Sequence, residues 1–388
     1  MSDLIFMRLA LRLARRGYGT TSPNPTVGAV LVKGGKILGR GRTAPAGGPH
    51  AEIEAIRDAH STQQNLKGAT LYVTLEPCCT HGRTPPCTDA IIAAGIKRVV
   101  VAATDPNPKH AGHGFKLLQR AGIKVETGLL AEEATRLNEA FNHWIVRRTP
   151  FVTVKSAMTL DGKIATARGE SKWITGEKAR ARGMKLRQGA DAILVGVNTV
   201  VADDPRLTFR SVGNIEHRML RRIVLDPKAR TPLSAKILND ELAAWTTIVV
   251  SEKAPKRHLS ELAKKVNVMV APCVKLPNVD CQSSTRDRPS KFVNRKSQID
   301  LLWLLRKLGT ENVTSLLVEG GGETNARFLE RKLVQRIAFF YAPKILCGRD
   351  ASKSVAGKGI ERVSEKIPLR DVEWKKLGED LFLMARIS

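Results

Sequence analysis

The sequence predicts an α/β protein with two domains, residues 1–147 and residues 148–388. Helical and strand patterns alternate along most of the chain, which is typical of helices packed on the faces of a sheet. The chain has 388 residues, more than one domain usually contains. The charged segment Arg147-Arg148-Thr149 is followed by Pro150, which breaks the preceding helix and favours a boundary there.

The first domain is predicted to be a sheet with helices on its faces. Phe6, Leu9 and Leu13 recur at helical spacing, so the basic start of the chain is interpreted as a domain helix rather than a transit peptide. The Gly34-Gly35 pair between two strand-like runs predicts a hairpin turn. Predicted helices cover residues 3–16, 51–60, 88–94, 114–121 and 131–146, and predicted strands cover 27–32, 36–41, 69–75 and 98–103.

The second domain shows the same alternation. Its predicted strands cover residues 151–156, 192–197, 222–225, 247–250, 315–319 and 337–341. Residues 273–300 are polar and lack periodicity, so a long surface loop is expected there.

Composition limits the classes of function. Six cysteines in 388 residues do not make a disulfide scaffold, and three of them crowd residues 78–87, which favours a metal site in a reducing compartment and a cytoplasmic location. No apolar run is long enough for a membrane span. The net charge of +27 indicates anionic partners. Only 5% of residues are aromatic, so phosphorylated metabolites are favoured over an obligate nucleic-acid partner.

The most informative motif is His50-Ala51-Glu52 followed by Pro77-Cys78 and Cys87. One imidazole and two thiolates form a zinc ligand set that leaves a fourth position open for water, as in catalytic sites. Zinc lowers the pKa of its bound water to about 7, and Glu52 would move protons between that water and a leaving amine. Cys78 and Cys79 compete for one ligand position, and Cys78, directly after Pro77, is favoured.

A second motif lies in the C-terminal half. LVEGGGET (317–324) is an apolar strand that runs into glycines and then a helix. Glycines let backbone N–H groups approach an anion, and the helix N-terminus attracts it, so cofactor phosphates suit this turn. The half has no GxGxxG after its first strand, which argues against a Rossmann domain.

The eight residues between Cys78 and Cys87 distinguish this chain from stand-alone nucleobase deaminases, which carry PCxxC. EPCCTHGRTPPC (76–87), PNPTVGAV (23–30), GPHAE (48–52) and TDPNP (104–108) resemble the deaminase half of the bifunctional riboflavin biosynthesis deaminase/reductase family. The resemblance implies a cytidine-deaminase-like α/β/α sandwich in which Asn24 contacts the pyrimidine.

Further segments resemble the reductase half of the same family: FVTVKSAMTLDG (151–162), GESKWIT (169–175), GVNTVVADDPRL (196–207) and LD (225–226). They imply a dihydrofolate-reductase-like α/β domain that uses NADPH. The implied NADPH site comprises Ala157, Trp173, Thr199, Asp203, Gly321, Gly322, Glu323, Thr324, Asn325, Ala326 and Arg327. The implied substrate contacts are Ser171, Arg187, Leu207, Arg210 and Glu319. Lys155 and Asp203 are candidates for protonating and orienting the carbonyl that accepts hydride.

The expected function is therefore sequential. The first domain would hydrolyse the 2-amino group of 2,5-diamino-6-(5-phosphoribosylamino)pyrimidin-4(3H)-one, and the second would reduce the ribosyl group to ribityl, giving 5-amino-6-(5-phosphoribitylamino)uracil. A homo-oligomer is also expected. The alternative is a tRNA or nucleic-acid base deaminase with an accessory domain, which the positive charge favours and the second half of the chain opposes.

Overall fold

The computed structural model describes residues 2–82, 84–209, 220–274 and 298–388. The chain divides into two compact units, Met1–Phe151 with Gly309–Ser315, and Val152–Leu308 with Leu316–Ser388. The predicted boundary between residues 147 and 148 stays a prediction. Of the described helices, none combines the length and the apolar character needed to cross a membrane.

The first unit is built on a five-stranded sheet in the order β2-β1-β3-β4-β5. Its strands are β1 (Gly28–Lys33), β2 (Lys36–Arg42), β3 (Thr70–Leu75), β4 (Arg98–Ala103) and β5 (Lys124–Thr127). Its helices are α1 (Asp3–Arg15), α2 (Ala51–Ser61), α3 (Cys87–Ala93), α4 (His113–Arg120), α5 (Ala131–Leu137) and α6 (Glu139–Arg147). β1 pairs antiparallel with β2 and β3, whereas β3, β4 and β5 run parallel, so the carboxyl ends of β3 and β4 share one edge of the sheet.

The predicted Gly34-Gly35 hairpin turn is confirmed. Both glycines have positive φ, 56° and 77°, and they join Lys33 to Lys36, which are partners across the β1–β2 ladder. A two-residue turn with both central φ values positive matches the twist of the strands it joins.

The helix predicted over residues 131–146 is two helices, because Asn138 interrupts it. The Asn138 side chain is buried, accepts a hydrogen bond from the Thr26 N–H (2.7 Å) and donates one to the Thr26 carbonyl (3.0 Å). Its amide thus pairs with distant backbone, and its φ of −108° separates α5 from α6. Helical periodicity alone does not reveal this long-range pairing.

The second unit is built on a nine-stranded sheet in the order β11-β10-β9-β8-β12-β6-β13-β16-β15, with β7 and β14 pairing separately. Its strands are β6 (Phe151–Thr159), β7 (Lys163–Ala165), β8 (Ala192–Gly196), β9 (Arg221–Leu225), β10 (Thr246–Ser251), β11 (Asn267–Ala271), β12 (Ser315–Val318), β13 (Arg336–Ala342), β14 (Ser352–Lys353), β15 (Leu369–Leu377) and β16 (Asp380–Ile387). Its helices are α7 (Glu177–Gln188), α8 (Val197–Asp203), α9 (Lys236–Asn239), α10 (Lys256–Ala263), α11 (Leu301–Thr310) and α12 (Gly322–Glu330).

The sequence patterns did not predict three strands of this sheet, β11 and the antiparallel pair β15 and β16. The loop expected over residues 273–300 is bounded by a bridge between Cys273 and Ile299, and residues 275–297 within it lie outside the described residues. In the centre of the sheet β12 and β8 are adjacent and parallel, so Glu319, which follows β12, and Gly196, which ends β8, lie at the same edge.

Candidate active sites

One imidazole and two thiols converge in the first unit. His50 directly precedes α2, Cys78 follows β3, and Cys87 begins α3. The Nδ1 atom of His50 lies 3.4 Å from the Cys78 sulfur and 3.3 Å from the Cys87 sulfur. The three ligand atoms all lie within 4.8 Å of one another. The structure therefore brings together the ligand set that the sequence predicted.

The donor set fits zinc. Nitrogen and sulfur atoms bound at about 2.1 and 2.3 Å to one tetrahedral centre are about 3.6 Å apart, close to the distances observed here. Hydrogen bonds from Cys87, through its thiol and its backbone N–H (3.3 Å to the Cys78 sulfur), hold the pKa of Cys78 at about 4. The same contact raises the pKa of Cys87, which keeps the shared proton. A metal can replace this proton, because thiolates are the form that zinc binds.

Glu52 lies in the first turn of α2 beside the metal ligands and is only 4% exposed. Burial raises the pKa of Glu52 to about 7, and the charge of Cys78 contributes in the same direction. A carboxyl group with a pKa near neutrality can both accept and release a proton, which is the property that general acid–base catalysis requires.

Glycines on β2 set the position of α2 and hence of His50 and Glu52. A Cβ atom on Gly41 would lie 2.0 Å from the Ala51 carbonyl oxygen, and one on Gly39 would lie 2.2 Å from the Ala55 carbonyl oxygen. Real Cβ atoms do not approach other atoms this closely. The helix can therefore pack against the strand only because both positions lack a side chain.

A cavity of about 270 Å³ opens onto this centre. Asn24, the predicted pyrimidine contact, lines it together with His50, Glu52 and Cys78. The sequence reading missed two parts of its wall. These are Phe141, Trp144 and Ile145 from α6, and Glu76 and His110 from the segments after β3 and β4. Asp105 and Asn107, from the family-like segment TDPNP (104–108), also line the cavity. The apolar i, i+3, i+4 spacing on α6 was visible, but it predicts a packed face as readily as a cavity wall.

Cys79 does not belong to the metal group. Its sulfur lies 3.5 Å from Nδ1 of His110, and the group of His50, Cys78 and Cys87 does not include it. Burial raises the pKa of Cys79, the opposite of the shift at Cys78. This geometry supports Cys78 as the ligand of the adjacent pair.

A second cavity, of about 930 Å³, lies in the second unit, and Lys155, Arg187 and Glu319 form an ion-paired group in its wall. Nε and one terminal nitrogen of Arg187 donate to the two oxygens of Glu319 at 2.8 and 3.0 Å. The Lys155 ammonium donates to the same carboxylate at 3.4 Å. Burial acts to raise the pKa of Glu319, but the two cations outweigh it and lower that pKa to about 2. The carboxylate is thus fixed in its charged form against Lys155.

Other predicted residues also lie in the wall of this cavity. The Ser171 hydroxyl donates to the Asp203 carboxylate at 3.2 Å, and Ala157, Thr199 and Leu207 also line the cavity. Trp173, 67% exposed, lies against the Arg180 guanidinium, whose central carbon is 4.6 Å from the ring centroid. Arg180 was not predicted, since nothing in its sequence context distinguishes it from a surface arginine on α7.

Two glycine turns meet at the edge of the sheet beside this cavity. Gly196 leads into α8, and Gly320-Gly321 lead into α12. A Cβ atom on Gly196 would lie 2.7 Å from the Thr324 hydroxyl oxygen, so Thr324 packs directly against the neighbouring turn. No atom of the described residues lies within 4 Å of the position of a Cβ on Gly321, which leaves room beside its backbone.

Not every residue of the predicted NADPH segment lines the cavity. Gly321 does, whereas Gly322, Glu323, Thr324, Asn325, Ala326 and Arg327 continue into α12 and do not. The buried Asn325 amide donates to the Ser354 carbonyl, and Arg327 donates to the Ile299 carbonyl. Arg210, predicted to bind substrate, lies outside the described residues.

Two family models match the chain, one for each unit. Residues 1–103 match the model of the cytidine and deoxycytidylate deaminase zinc-binding region. Residues 150–383, more than half of the chain, match the model of the RibD C-terminal domain. The chain belongs to the RibD family. The RibD match covers all the described elements that line the second cavity.

Full-length relatives of the RibD family show the same organisation. The chain is 45% identical to the riboflavin biosynthesis protein RibD of Aquifex aeolicus, covering 99% of this chain and 98% of the relative. It is 42% identical to that of Actinobacillus pleuropneumoniae, covering 99% and 95%. Among solved structures, Acinetobacter baumannii RibD is 33% identical with a TM-score of 0.82, covering 100% and 99%. The Thermotoga maritima diaminohydroxyphosphoribosylaminopyrimidine deaminase/5-amino-6-(5-phosphoribosylamino)uracil reductase is 35% identical with a TM-score of 0.81, covering 99% and 98%.

These matches confirm the predictions of fold and enzyme class. The fold combines a cytidine-deaminase-like N-terminal domain with a RibD C-terminal α/β domain, and the family is the bifunctional deaminase/reductase of riboflavin biosynthesis. The alternative, a nucleic-acid base deaminase with an accessory domain, is not favoured, because the second half is a RibD domain.

Proposed function

We propose that the first unit hydrolyses the 2-amino group of 2,5-diamino-6-(5-phosphoribosylamino)pyrimidin-4(3H)-one and that the second reduces the ribosyl group of the product with NADPH. One observation carries the proposal: a three-ligand metal group and a buried carboxyl with a pKa of about 7 face one cavity. A zinc ion in this group supplies an acidified water and a Lewis acid.

In the deaminase cavity, Glu52 accepts a proton from the attacking water and delivers it to the departing amine, so that ammonia leaves as a neutral molecule. His50, Cys78 and Cys87 would hold the zinc. Asn24 can both donate and accept hydrogen bonds, which suits the polar edge of a pyrimidinone.

In the reductase cavity, NADPH would supply the hydride that reduces the carbonyl carbon of the opened ribosyl group. The Lys155 ammonium donates a proton to the carbonyl oxygen, which becomes the hydroxyl of the ribityl chain. Glu319 fixes Lys155 through the 3.4 Å ion pair, and Asp203 orients the substrate with Ser171. Arg187, whose guanidinium is bound by Glu319, and Arg210 are proposed to contact the substrate. Arg210 is the proposed contact for its phosphate, because guanidinium groups bind phosphate in a bidentate manner.

The site for the cofactor phosphates is proposed at the adjacent N-termini of α8 and α12. β8 and β12 are parallel neighbours, so both helices begin at one edge of the sheet. Their free N–H groups and dipoles attract anions, and Gly321 leaves room for close approach. The remaining predicted residues, from Gly322 to Arg327, would support this turn from within α12.

A coupled assay tests the proposed function. The protein is supplied with zinc and the diaminopyrimidinone, with and without NADPH, and ammonia and NADPH consumption are followed separately. We expect ammonia release in both cases and NADPH consumption only after deamination. An inert protein in the assay would refute the proposal, and equal catalytic efficiency with NADH would refute the cofactor assignment.

The ligand assignment within the Cys78-Cys79 pair gives a prediction of its own. Cys79→Ser should retain one zinc per chain and release ammonia within about twofold of the unaltered enzyme, because Cys79 contacts His110 rather than the metal group. Zinc content after dialysis and initial rates provide the measurement, with Cys78→Ser as the matched change that removes a ligand. The reverse pattern, in which only Cys79→Ser loses zinc, would make Cys79 the ligand.

We further propose that the protein forms a homo-oligomer through β15. This strand ends the order of the nine-stranded sheet, and Leu369, Val372 and Trp374 are exposed on it among charged residues. An edge strand presents unpaired N–H and C=O groups with which a second chain can pair. Light scattering should show more than one chain per particle, and a monomer would refute the proposal. The described cysteines are free, which supports a location in the reducing cytoplasm.

A further inference from the structure

Glu76 is a buried carboxylate without a cationic partner among the described residues. It lies at the end of β3, two residues before Cys78, and is 4% exposed. Its own N–H donates to the Ala103 carbonyl at 2.9 Å, which extends the β3–β4 ladder by one bond. The mechanism above assigns no role to Glu76, although it begins the motif that carries the metal ligands.

Three backbone N–H groups of one segment satisfy this carboxylate. The Asp105 and Gly112 N–H groups donate to Oε2 at 3.2 and 3.0 Å, and the Gly114 N–H donates to Oε1 at 3.1 Å. α4 begins at His113, and its N-cap residue, Gly112, has no side chain that could accept a hydrogen bond. Glu76 therefore supplies the acceptor that an N-cap side chain would supply in other helices.

The segment bound by Glu76 forms one wall of the deaminase cavity. Asp105, Asn107 and His110 line the cavity, and the chain between them is folded tightly: the Asn107 N–H donates to the Asp105 carboxylate at 2.8 Å, and the His110 N–H donates to the Asn107 carbonyl at 2.8 Å. A Cβ atom on Gly114 would lie 2.5 Å from the Pro77 carbonyl oxygen, so this segment also touches the strand that leads to Cys78.

We propose that Glu76 is a positioning residue for deamination. Its carboxylate accepts three hydrogen bonds from backbone N–H groups and thereby fixes the cavity wall formed by residues 105–110 at a set distance from the metal ligands. This proposal rests on the deaminase function proposed above and adds the residue that sets the geometry between substrate and metal. Misplacement of bound substrate by about 1 Å can reduce a rate by about 100-fold.

Glu76→Gln tests the role of the carboxylate. A carboxamide has one acceptor oxygen and an NH₂ group that cannot accept, so at least one of the three N–H groups loses its partner. We expect the kcat/KM for ammonia release to fall by about 10- to 100-fold, with one zinc still bound per chain and an unchanged rate of NADPH consumption on deaminated substrate. Glu76→Asp keeps the charge and should recover part of the loss.

A stability control and a coupling measurement separate positioning from a general effect on folding. Glu126→Gln on β5 removes a part-buried ion pair with Arg98 and an exposed one with Lys124, so it should change the melting temperature and leave deamination unchanged. Asn107→Ala should lower the kcat/KM for ammonia release by a smaller factor in a Glu76→Asp background than in the unaltered enzyme, because Glu76→Asp has already displaced the wall.

Unaltered kcat/KM in Glu76→Gln, or a loss that zinc content fully explains, would overturn the proposal. Additive effects of Glu76→Asp and Asn107→Ala would also overturn it, and this pair remains measurable if Glu76→Gln fails to fold. An enzyme that releases no ammonia before any substitution would instead refute the proposed function.

Discussion

The rate of ammonia release should fall by about 100- to 10,000-fold in Glu52→Gln, while zinc binding and NADPH-dependent reduction continue. Glutamine matches the size of the buried Glu52 side chain but cannot carry a proton from water to a leaving amine. The side chain lies in the first turn of α2, and the metal ligands come from His50, Cys78 and Cys87, so the ligand set is untouched. Parallel assays of ammonia, zinc content and NADPH consumption on deaminated substrate check each part.

Glu54→Gln is the matched control for this change. Glu54 occupies the same helical turn but is partly exposed and paired with Arg57, so its loss should leave both activities intact. Retention of deaminase turnover in Glu52→Gln would show that another group moves the proton, and loss of zinc would show that Glu52 supports the ligands instead.

Asp240→Asn should lower the free energy of unfolding of the second unit by about 3–5 kcal/mol. The guanidinium of Arg222 is fully buried, and all five of its N–H groups are engaged: two bonds of 2.7 Å to Asp240 and three to Thr246, Arg206 and Ile237. Neutralising Asp240 leaves a buried cation without its counter-charge. Denaturant unfolding followed by circular dichroism measures the loss.

The control for the Asp240 change is Glu261→Gln, which removes an exposed pair with Lys264. Such pairs contribute no more than about 1 kcal/mol, so little change is expected. Equal losses in the two variants would mean that Arg222 gains water or another partner when Asp240 is neutral.

Local patterns predicted much of the fold, and chemistry predicted the metal site. Ligand identity and spacing indicated His50, Cys87 and one cysteine of the Cys78-Cys79 pair, and the structure brings His50, Cys78 and Cys87 together. Helix and strand bounds agree closely where periodicity and glycine turns act locally, as at Gly34-Gly35. The break at Asn138 was missed because its cause is a pair of hydrogen bonds to Thr26, far away in sequence.

The reductase cavity was harder to predict because its contacts join distant segments. Lys155, Arg187 and Glu319 come from three separate elements, and their ion pairs cannot be inferred from any local pattern. The C-terminal strand β15 was missed because its exposed residues lack the alternation of a half-buried strand. Glu76 was visible in its motif, but its three N–H partners lie 29 to 38 residues away.

The close packing of α2 on Gly39 and Gly41 has a consequence for how this enzyme can vary. Neither glycine lies among the metal ligands, yet even an alanine at either position would push the helix outward by more than about 1 Å, carrying the imidazole and the proton-transfer group with it. In a mutational screen scored by growth, substitutions at these two strand positions should therefore be as harmful as substitutions of the metal ligands, and more harmful than those of surrounding surface residues. A survey limited to residues near the metal would overlook them.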